Sequence, residues 1–266
     1  PPERELMGSN KTALILGGSG GLGLATAKKL ASEGFDIIVV HRDRRVDLLE
    51  IERNFEVIKA NNVNFISFNQ DATNSEKRAE IIKSIRDFLP VNGKLKVMVH
   101  SIAKGNLKPM FPVDKSSLGN SDFHLTLDAM AISLYDWTQD LVKADLFADD
   151  TRIISFTSEG NIKALPDYGA VSAAKAALEA ITRNMALEFA PLGIKANCIQ
   201  AGVTDTASLR MIPNSERIKK TALSRNPNGR LTTPEDVANV VYLLTLEEAI
   251  WITGTVIKVD GGESLT

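Results

Sequence analysis

Short apolar runs alternate with helical patterns along the whole chain. Apolar runs rich in β-branched residues predict buried strands at residues 12–16, 36–40, 63–68, 95–101, 152–156, 194–199 and 255–259. Between them, helical periodicity predicts helices at residues 22–32, 46–61, 75–89, 122–144, 168–190 and 234–246. Strands that are apolar throughout and separated by helices indicate a parallel sheet that is covered on both faces. We therefore predict a single α/β domain, a Rossmann-type doubly wound parallel sheet flanked by helices, with its ligand crevice at the carboxyl ends of the strands.

One segment departs from this alternation. Residues 203–230 follow the end of a predicted strand, and they contain Pro213, Pro227 and Gly229. A long connection at that edge of a sheet is more often functional than accidental, so we predict a lid there. We assign residues 11–266 to one Rossmann-fold domain and set aside residues 1–10 as a polar tail or an expression remnant.

Composition narrows the possible function classes. The 266 residues are 44% hydrophobic and 24% charged, as is typical of a soluble globular protein. A net charge of −2 gives no basic excess for nucleic-acid binding, and no apolar run is long enough to span a bilayer. The single cysteine, Cys198, excludes an internal disulfide, and the histidines lack metal-ligand spacing. We expect a soluble cytoplasmic protein that holds no metal and has no secretory signal.

Glycines cluster between the first strand and the first helix. Gly17, Gly21 and Gly23 form a Gly-x3-Gly-x-Gly pattern, with Ser19 and Leu22 between them. Such glycines allow a tight turn and bring the backbone close to a pyrophosphate, which the helix N-terminus then binds. A flexible loop is the alternative. The position between a strand and a helix at the start of an α/β chain favours dinucleotide binding.

The ends of the second and third strands bear on which dinucleotide binds. Arg42 stands where NAD-preferring sites usually hold a carboxylate, and it could pair with a 2′-phosphate. Asp43 is a carboxylate and argues against a 2′-phosphate at this position. The alternative to a cofactor role for Arg42 is a solvated cluster of charges at a helix start. Asp71, followed by Ala72, is placed to meet an adenine ring, although helix capping is an alternative role. We predict NADPH in preference to NADH.

A tyrosine and a lysine lie on one face of the helix predicted at residues 168–190. Tyr168 precedes Lys175 by seven residues, or two helical turns, and the residue one turn before Lys175 is Val171. The hydroxyl therefore lies farther along the helix than in a Tyr-x3-Lys pair, over a different atom of any shared substrate. Capping and solvation of the helix are the alternative roles.

These features together resemble the short-chain dehydrogenase/reductase superfamily over residues 11–266. The glycine loop, Asp71, the Tyr168/Lys175 helix and residues 197–202 and 260–262 carry the resemblance. Three details are most similar to the enoyl-acyl-carrier-protein reductases (FabI/FabL-like). They are the Tyr-x6-Lys spacing, the run His100-Ser101-Ile102-Ala103, and Ala201-Gly202 in place of Pro-Gly. The run at residues 154–158, the spacing of Ser158 from Tyr168 and the ending at residues 260–265 are most similar to the NADPH-dependent branch.

The chain also departs from the better-known enoyl reductases. Ser158 stands where they carry a second tyrosine, ten residues before the catalytic one. Lys104 replaces a frequent aromatic, and Leu16 replaces the threonine that commonly precedes the first glycine. These departures bear on the shape of the substrate pocket more than on the class of reaction.

The resemblance implies hydride transfer from NADPH to the β-carbon of a trans-2-enoyl thioester in fatty-acid biosynthesis. Tyr168 would then donate to the thioester oxygen, and Ser158 would add a hydrogen bond or orient Tyr168. Lys175 would hold the nicotinamide ribose, and its charge would favour phenolate character in Tyr168. Val203 would read the carboxamide through its backbone, and Thr206 would contact the pyrophosphate. The cofactor contacts implied in this way are Gly17, Ser19, Gly21, Leu22, Gly23, Arg42, Asp71, Ala72, Ser101, Ile102, Ala103, Lys175, Gly202, Val203 and Thr206.

The resemblance also bears on partners. Residues 207–226 combine apolar side chains that could cover an acyl chain with five basic ones that could steer the acidic acyl carrier protein. A solvated helix face is the alternative. A homotetramer or homodimer is common in the superfamily, and His100 is expected to be a strand-end residue without a catalytic role.

Two other functions stay open at this point. A carbonyl reductase of the 3-oxoacyl or hydroxysteroid type would use Ser158 as its catalytic serine. A non-catalytic NADP-binding regulator could use the same fold, because a fold does not establish a function. The presence of both Tyr168 and Lys175 argues against the regulator.

Overall fold

The computed structural model describes residues 11–112, 114 and 116–266. Its centre is a parallel sheet of seven strands in the order β3-β2-β1-β4-β5-β6-β7. The strands are β1 (Thr12–Leu16), β2 (Asp36–His41), β3 (Phe65–Asn69), β4 (Leu95–His100), β5 (Phe147–Thr157), β6 (Ile194–Ala201) and β7 (Val256–Val259). The predicted α/β class and the single doubly wound sheet are therefore confirmed.

Helices cover both faces of this sheet. They are α1 (Gly21–Ser32), α2 (Leu48–Lys59), α3 (Ser75–Phe88), α4 (Asn120–Leu127), α5 (Ser133–Lys143), α6 (Gly169–Glu188), α7 (Ala207–Arg210), α8 (Ser215–Arg225) and α9 (Pro234–Leu243). One apolar core joins the sheet to α1, α2 and α9, and a second core joins it to α3, α5 and α6. None of the helices in the described ranges is long and apolar enough to cross a membrane.

Burial on both faces explains why the strands are apolar at every position. Leu14 and Leu16 of β1 belong to one core, whereas Ala13 and Ile15 between them belong to the other. All four side chains are fully buried. Successive side chains of a strand point to opposite faces, so a strand in the middle of a covered sheet shows no polar alternation.

The strand order places a crevice beside β1. The chain first builds the sheet outward from β1 through β2 to β3, and it then returns to add β4 on the other side of β1. The helices that follow β1 and β4 consequently diverge at the carboxyl ends of these two strands. This is the topological switch point at which doubly wound sheets bind their ligands.

Two elements differ from their predicted bounds. The single helix predicted over residues 122–144 is broken by a π-helical turn, Asp128–Ile132, between α4 and α5. β5 begins at Phe147 rather than at residue 152, because its early residue Asp150 pairs with Arg152 and Lys195 and needs no apolar surroundings. The π-helical turn is of interest since such turns occur frequently at functional sites.

The segment at residues 203–230, called the lid segment below, contains α7 and α8. Ile212, between these helices, packs against a small apolar cluster formed by Ala129, Met130, Tyr168, Val171 and Ala174. The segment therefore reaches the neighbourhood of Tyr168.

Candidate active site

The glycine loop packs against the end of β4 with no room for side chains. Gly17 has a φ of +85°, and a Cβ atom there would lie 2.3 Å from the backbone oxygen of Ser101. A Cβ atom at Gly23 would lie 2.1 Å from the backbone oxygen of Gly17. Both positions require glycine, since the turn after β1 is pressed between β4 and the first turn of α1.

The same loop fits the phosphates of a dinucleotide. α1 begins at Gly21, and in the described part of the chain no side chain caps its N-terminal N–H groups. A cavity of about 270 Å³ opens beside this terminus and is bordered by Gly21, Lys28, Thr206 and Arg210. The two basic side chains are offset by Asp205 and Glu235 in the same lining, so the free backbone donors at the helix N-terminus are what favours an anionic group at this position. Thr206 also caps α7, where its hydroxyl accepts a hydrogen bond from the N–H of Leu209 at 3.3 Å.

Residues 101–103 connect the phosphate region to the Tyr168 cluster. The N–H of Ser101 donates to the backbone oxygen of Leu16 at 2.7 Å, which ties the end of β4 to the end of β1. Ile102 packs against the cluster that contains Tyr168. The structure thus brings together the two groups of predicted site residues, the glycine loop and the tyrosine helix.

The ends of β2 and β3 hold a cluster of charges. Arg42 Nη1 donates to Asp71 Oδ2 at 2.5 Å, and the ammonium of Lys104 lies 3.8 Å from the same oxygen. The carboxylate of Asp43 is bonded instead to Nδ1 of His41 at 2.7 Å. Helix capping does not explain Asp71, because Asn74 caps α3. Burial raises the pKa of Asp71, but hydrogen bonds from Thr73, together with the charges of Lys104 and Arg42, leave the pKa lowered.

Tyr168, Ser158 and Lys175 surround the inner end of the crevice. Tyr168 is the N-cap residue of α6, and its hydroxyl lies 3.3 Å from the hydroxyl of Ser158 at the end of β5. Lys175 is buried, and its ammonium donates to the backbone oxygen of Phe156 at 2.6 Å. Ser158, rather than Lys175, is therefore the direct partner of the phenol.

Burial sets the protonation of both groups. It raises the pKa of Tyr168, and the hydrogen bond from Ser158 opposes this rise only in part. It lowers the pKa of Lys175 to about 8. The expected phenolate character of Tyr168 is thus corrected: the tyrosine is a neutral phenol, which is able to donate a hydrogen bond.

A tight turn after β5 holds the ring of Tyr168. A Cβ atom at Gly160 would lie 2.4 Å from Cε1 of Tyr168, so the ring rests directly on the backbone of this turn. The hydroxyl of Ser172 donates to the backbone oxygen of Gly160, which ties the turn to α6. Apolar side chains also pack against the ring, among them Met130 of the π-helical turn.

His100 has a structural role in the described chain. It is 2% exposed, and its Nε2 lies 2.7 Å from the hydroxyl of Ser133. Burial and the nearby charge of Lys175 lower its pKa to about 3, so it is neutral at ordinary pH. The described ranges contain no group of three His, Cys, Asp or Glu side chains that could hold a metal ion.

The backbone of Val203 makes a contact that the sequence does not predict. Its N–H donates to Oε2 of Glu263 at 3.1 Å and is already engaged within the protein. A Cβ atom at the neighbouring Gly202 would lie 2.3 Å from the hydroxyl of Thr232, so this stretch is closely packed. Glu263 was not among the predicted site residues, and sixty positions separate it from Val203.

The comparisons with known proteins agree with this geometry. A protein-family model described as "Enoyl-(Acyl carrier protein) reductase" matches residues 17–264. The chain belongs to the short-chain dehydrogenase/reductase family. It is therefore an oxidoreductase, and this family implies a nicotinamide nucleotide as the cofactor, in agreement with the fit of the glycine loop.

Its relatives within the family are diverse. An uncharacterized oxidoreductase, YjdA, of Bacillus subtilis (strain 168) is 30% identical over 95% of this chain and 96% of its own length. A tropinone reductase homolog of Arabidopsis thaliana is 29% identical over 96% of this chain and 92% of its own length. The structure resembles that of the Enoyl-[acyl-carrier-protein] reductase (NADH) of Aquifex aeolicus VF5. The TM-score is 0.80 and the identity 26%, over 96% of this chain and 97% of that one.

The buried lysine generates a prediction about stability. Burial lowers the pKa of Lys175 from 10.5 to about 8, so between these values the unfolded chain binds more protons than the folded one. The free energy of unfolding should therefore rise with pH in this window, by up to about 1.4 kcal/mol per pH unit from this residue. The destabilisation caused by burying the charged ammonium is fully present below the folded-state pKa of about 8. It disappears as the pH rises from there towards 10.5.

Urea unfolding of the wild type and of Lys175→Met, between about pH 7 and pH 10, measures this effect. We expect the wild type to gain stability relative to the variant above about pH 8. Parallel pH curves for the two proteins would contradict the burial of a titrating ammonium.

Proposed function

We propose that the protein is an NADPH-dependent enoyl-acyl-carrier-protein reductase, which saturates the double bond of trans-2-enoyl thioesters in fatty-acid biosynthesis. One observation carries the proposal: the buried phenol of Tyr168 stands two helical turns from the buried ammonium of Lys175. The position one turn before Lys175 is Val171, which has no acid–base chemistry. Two turns of helix separate backbone positions by about 10 Å.

This separation suits reduction of a carbon–carbon double bond. A bound nicotinamide nucleotide would supply the hydride to the β-carbon, and negative charge would then develop on the thioester oxygen, beyond the α-carbon. A ketone reductase instead needs its hydroxyl beside the carbon that receives the hydride. The position of Tyr168 supports donation to the more distant oxygen, and its raised pKa keeps the proton available for this hydrogen bond.

The neighbours of Tyr168 take supporting roles in this proposal. Ser158, at 3.3 Å, orients the phenol or shares the thioester oxygen with it. Lys175 would reach the nicotinamide ribose from its present bond to Phe156. Ile212 of the lid segment, which packs on the Tyr168 cluster, would cover the acyl chain on that side.

A carbonyl reductase is the second candidate. The 3.3 Å contact between Ser158 and Tyr168 favours it, because a serine and a tyrosine together could bind the oxygen of a ketone. The family also contains a tropinone reductase homolog among the relatives of this chain. We prefer the enoyl reductase because of the spacing of Tyr168 from Lys175 and because the matching family model is described as an enoyl-acyl-carrier-protein reductase.

NADPH is proposed over NADH because of the charges at the ends of β2 and β3, where the adenosine would lie. Arg42 and Lys104 both approach one oxygen of Asp71, so two cations share one carboxylate there. Asp43, the carboxylate that opposed this choice, is bonded to His41. Arg42 and Lys104 are therefore placed to bind a 2′-phosphate through charge-assisted hydrogen bonds.

Acyl carrier protein is proposed as the substrate carrier, docking on the basic rim of the lid segment. Within this rim, Arg210 is paired with Asp205 at 2.9 Å, and Lys219 is paired with Glu216 at 2.5 Å. Arg217 and Lys220 are exposed on α8. These two residues would therefore contribute most of the attraction for an acidic partner.

The reaction class is tested by supplying NADPH with a trans-2-enoyl thioester or with an acetoacetyl thioester. We expect NADPH oxidation with the enoyl substrate alone. Tyr168→Phe should lower kcat about 100-fold or more while NADPH binding is unchanged, because the donor to the developing oxyanion is lost. Tyr135→Phe, on the exposed side of α5, is the matched control and should keep full activity. Oxidation with the acetoacetyl substrate alone would establish the carbonyl reductase instead.

Cofactor choice is tested by Arg42→Gln. Loss of a charge-assisted hydrogen bond to the 2′-phosphate should raise the Kd for NADPH at least about tenfold and leave the Kd for NADH unchanged. Arg44→Gln is the control, because Arg44 is 84% exposed and pairs with Asp47. Equal losses for both nucleotides would contradict the proposed preference.

Carrier docking is tested by reversing the charges of Lys219 and Lys220 to Glu. We expect KM for the carrier-bound substrate to rise about tenfold, with most of the effect from Lys220 and little change for a CoA thioester. The rise should shrink in high salt, which screens exposed charges. Equal changes of KM for both substrates would count against docking at this surface.

A further inference from the structure

Arg225, the last residue of α8, links the lid segment to the turn that carries Ser158. Its guanidinium binds both carboxylate oxygens of Glu159, at 3.0 and 3.2 Å. Glu159 directly follows Ser158, and both partners of the pair are 24% exposed. A half-buried bidentate pair has a defined geometry, unlike a mobile pair on the surface.

The same guanidinium also fixes the chain after β7. It donates to the backbone oxygens of Glu263 and Thr266, both at 3.0 Å, and the hydroxyl of Thr266 donates back to the oxygen of Arg225 at 2.7 Å. The side chain of Glu263 in turn accepts the N–H of Val203, where the lid segment begins. The stretch before α7 and the end of α8 are therefore both hydrogen-bonded to residues 263–266.

The turn held by Arg225 is the turn that holds Tyr168. Ser158 contacts the phenol oxygen at 3.3 Å, and Gly160 lies directly against the aromatic ring. A displacement of Glu159 would therefore move both supports of the phenol. A displacement of about 1 Å in an active site can lower the reaction rate on the order of 100-fold. The reaction therefore depends on this turn staying in place.

We propose that Arg225 is a positioning residue, which couples the seating of the lid segment to the placement of the Ser158–Tyr168 pair through Glu159. When α8 is seated, Arg225 holds the turn at residues 158–161 against the ring of Tyr168. When α8 moves away, the turn loses this hold and the phenol loses its alignment. The inference rests on the proposed role of Tyr168, and part of its test needs no substrate.

Lys163 provides a matched control for the pair. Its ammonium lies 2.6 Å from the same carboxylate of Glu159, but the residue is 47% exposed and contacts neither the lid segment nor the chain after β7 in the described ion pairs. Burial raises the pKa of Glu159, yet hydrogen bonds from Arg225 and Lys163 outweigh it, so the carboxylate stays ionised. Lys163→Gln removes one cation from Glu159 and keeps the link to α8.

Steady-state kinetics with the enoyl substrate form the first part of the test. Arg225→Gln and Glu159→Gln should each lower kcat about tenfold or more, with little change in the Kd for NADPH, while Lys163→Gln stays near the wild type. Glu159→Gln preserves the bonds of Arg225 to Glu263 and Thr266, so it probes the link without disturbing that turn. Equal effects of Lys163→Gln and Arg225→Gln would overturn the proposal.

The pKa of Tyr168 forms the second part, measured from the ultraviolet absorption of its phenolate. The chain has three tyrosines, so subtraction of the Tyr168→Phe titration isolates this one. Loosening of the turn should hydrate the phenol in both Arg225→Gln and Glu159→Gln. Burial affects the pKa of Tyr168 more than the hydrogen bond from Ser158 does, so hydration should lower the raised pKa by more than the loss of that bond raises it. If the pair acted only through its charges, Arg225→Gln would raise the pKa and Glu159→Gln would lower it.

The two parts separate this inference from the proposed function. If the wild type does not reduce enoyl thioesters, the proposed function is contradicted. The titration of Tyr168 needs no substrate and still tests whether Arg225 positions the phenol. A lowered Tyr168 pKa in both variants supports the role of Arg225. An unchanged or raised pKa in Arg225→Gln, in a variant whose circular dichroism matches the wild type, overturns it.

Discussion

Burial of two polar groups on one helix is the constraint on which the site depends. Tyr168 and Lys175 are both enclosed at the inner end of the crevice, and two turns of α6 keep them apart. Burial makes the phenol a weaker acid and the ammonium a stronger one. Each group then needs a defined partner, and Ser158 and the carbonyl of Phe156 supply them.

Other parts of the fold serve this arrangement. The switch of strand order beside β1 opens the crevice, and the glycine loop brings the ends of β1 and β4 into contact. Residues 101–103 then run from that contact to the Tyr168 cluster, so they line the crevice between the glycine loop and Tyr168. The lid segment contacts the other side through Ile212 and through the bonds of Arg225.

The sequence predicts much of this because its signals are local. The apolar strands, the glycine loop and the spacing of Tyr168 from Lys175 each lie within one short stretch, and burial on both sheet faces keeps the strand signal strong. The early start of β5 at Phe147 could not be predicted from apolar character, because ion pairs between distant strands neutralise Asp150. The π-helical turn at Asp128–Ile132 also leaves no periodic signal of its own.

Contacts between distant residues account for what sequence reasoning missed in the site. Glu159 and Arg225 are 66 positions apart, and Glu263 and Val203 are 60 apart. A lone charged residue in a lid or beside a strand end is most often solvated, so neither pair stands out before the chain is folded. The raised pKa of Tyr168 also results from contacts between distant parts of the chain, which bury its ring. The nearby lysine in the sequence predicts the opposite direction.

The position of hydride transfer tests the central claim most directly. The protein would be supplied with a trans-2-enoyl thioester and NADPH deuterated at C4 of the nicotinamide, and the product would be examined by NMR. The account predicts deuterium at the β-carbon and a solvent proton at the α-carbon of a saturated thioester. No transfer to the enoyl substrate, together with deuterium on the hydroxyl-bearing carbon of a 3-hydroxyacyl product from the acetoacetyl thioester, would contradict it.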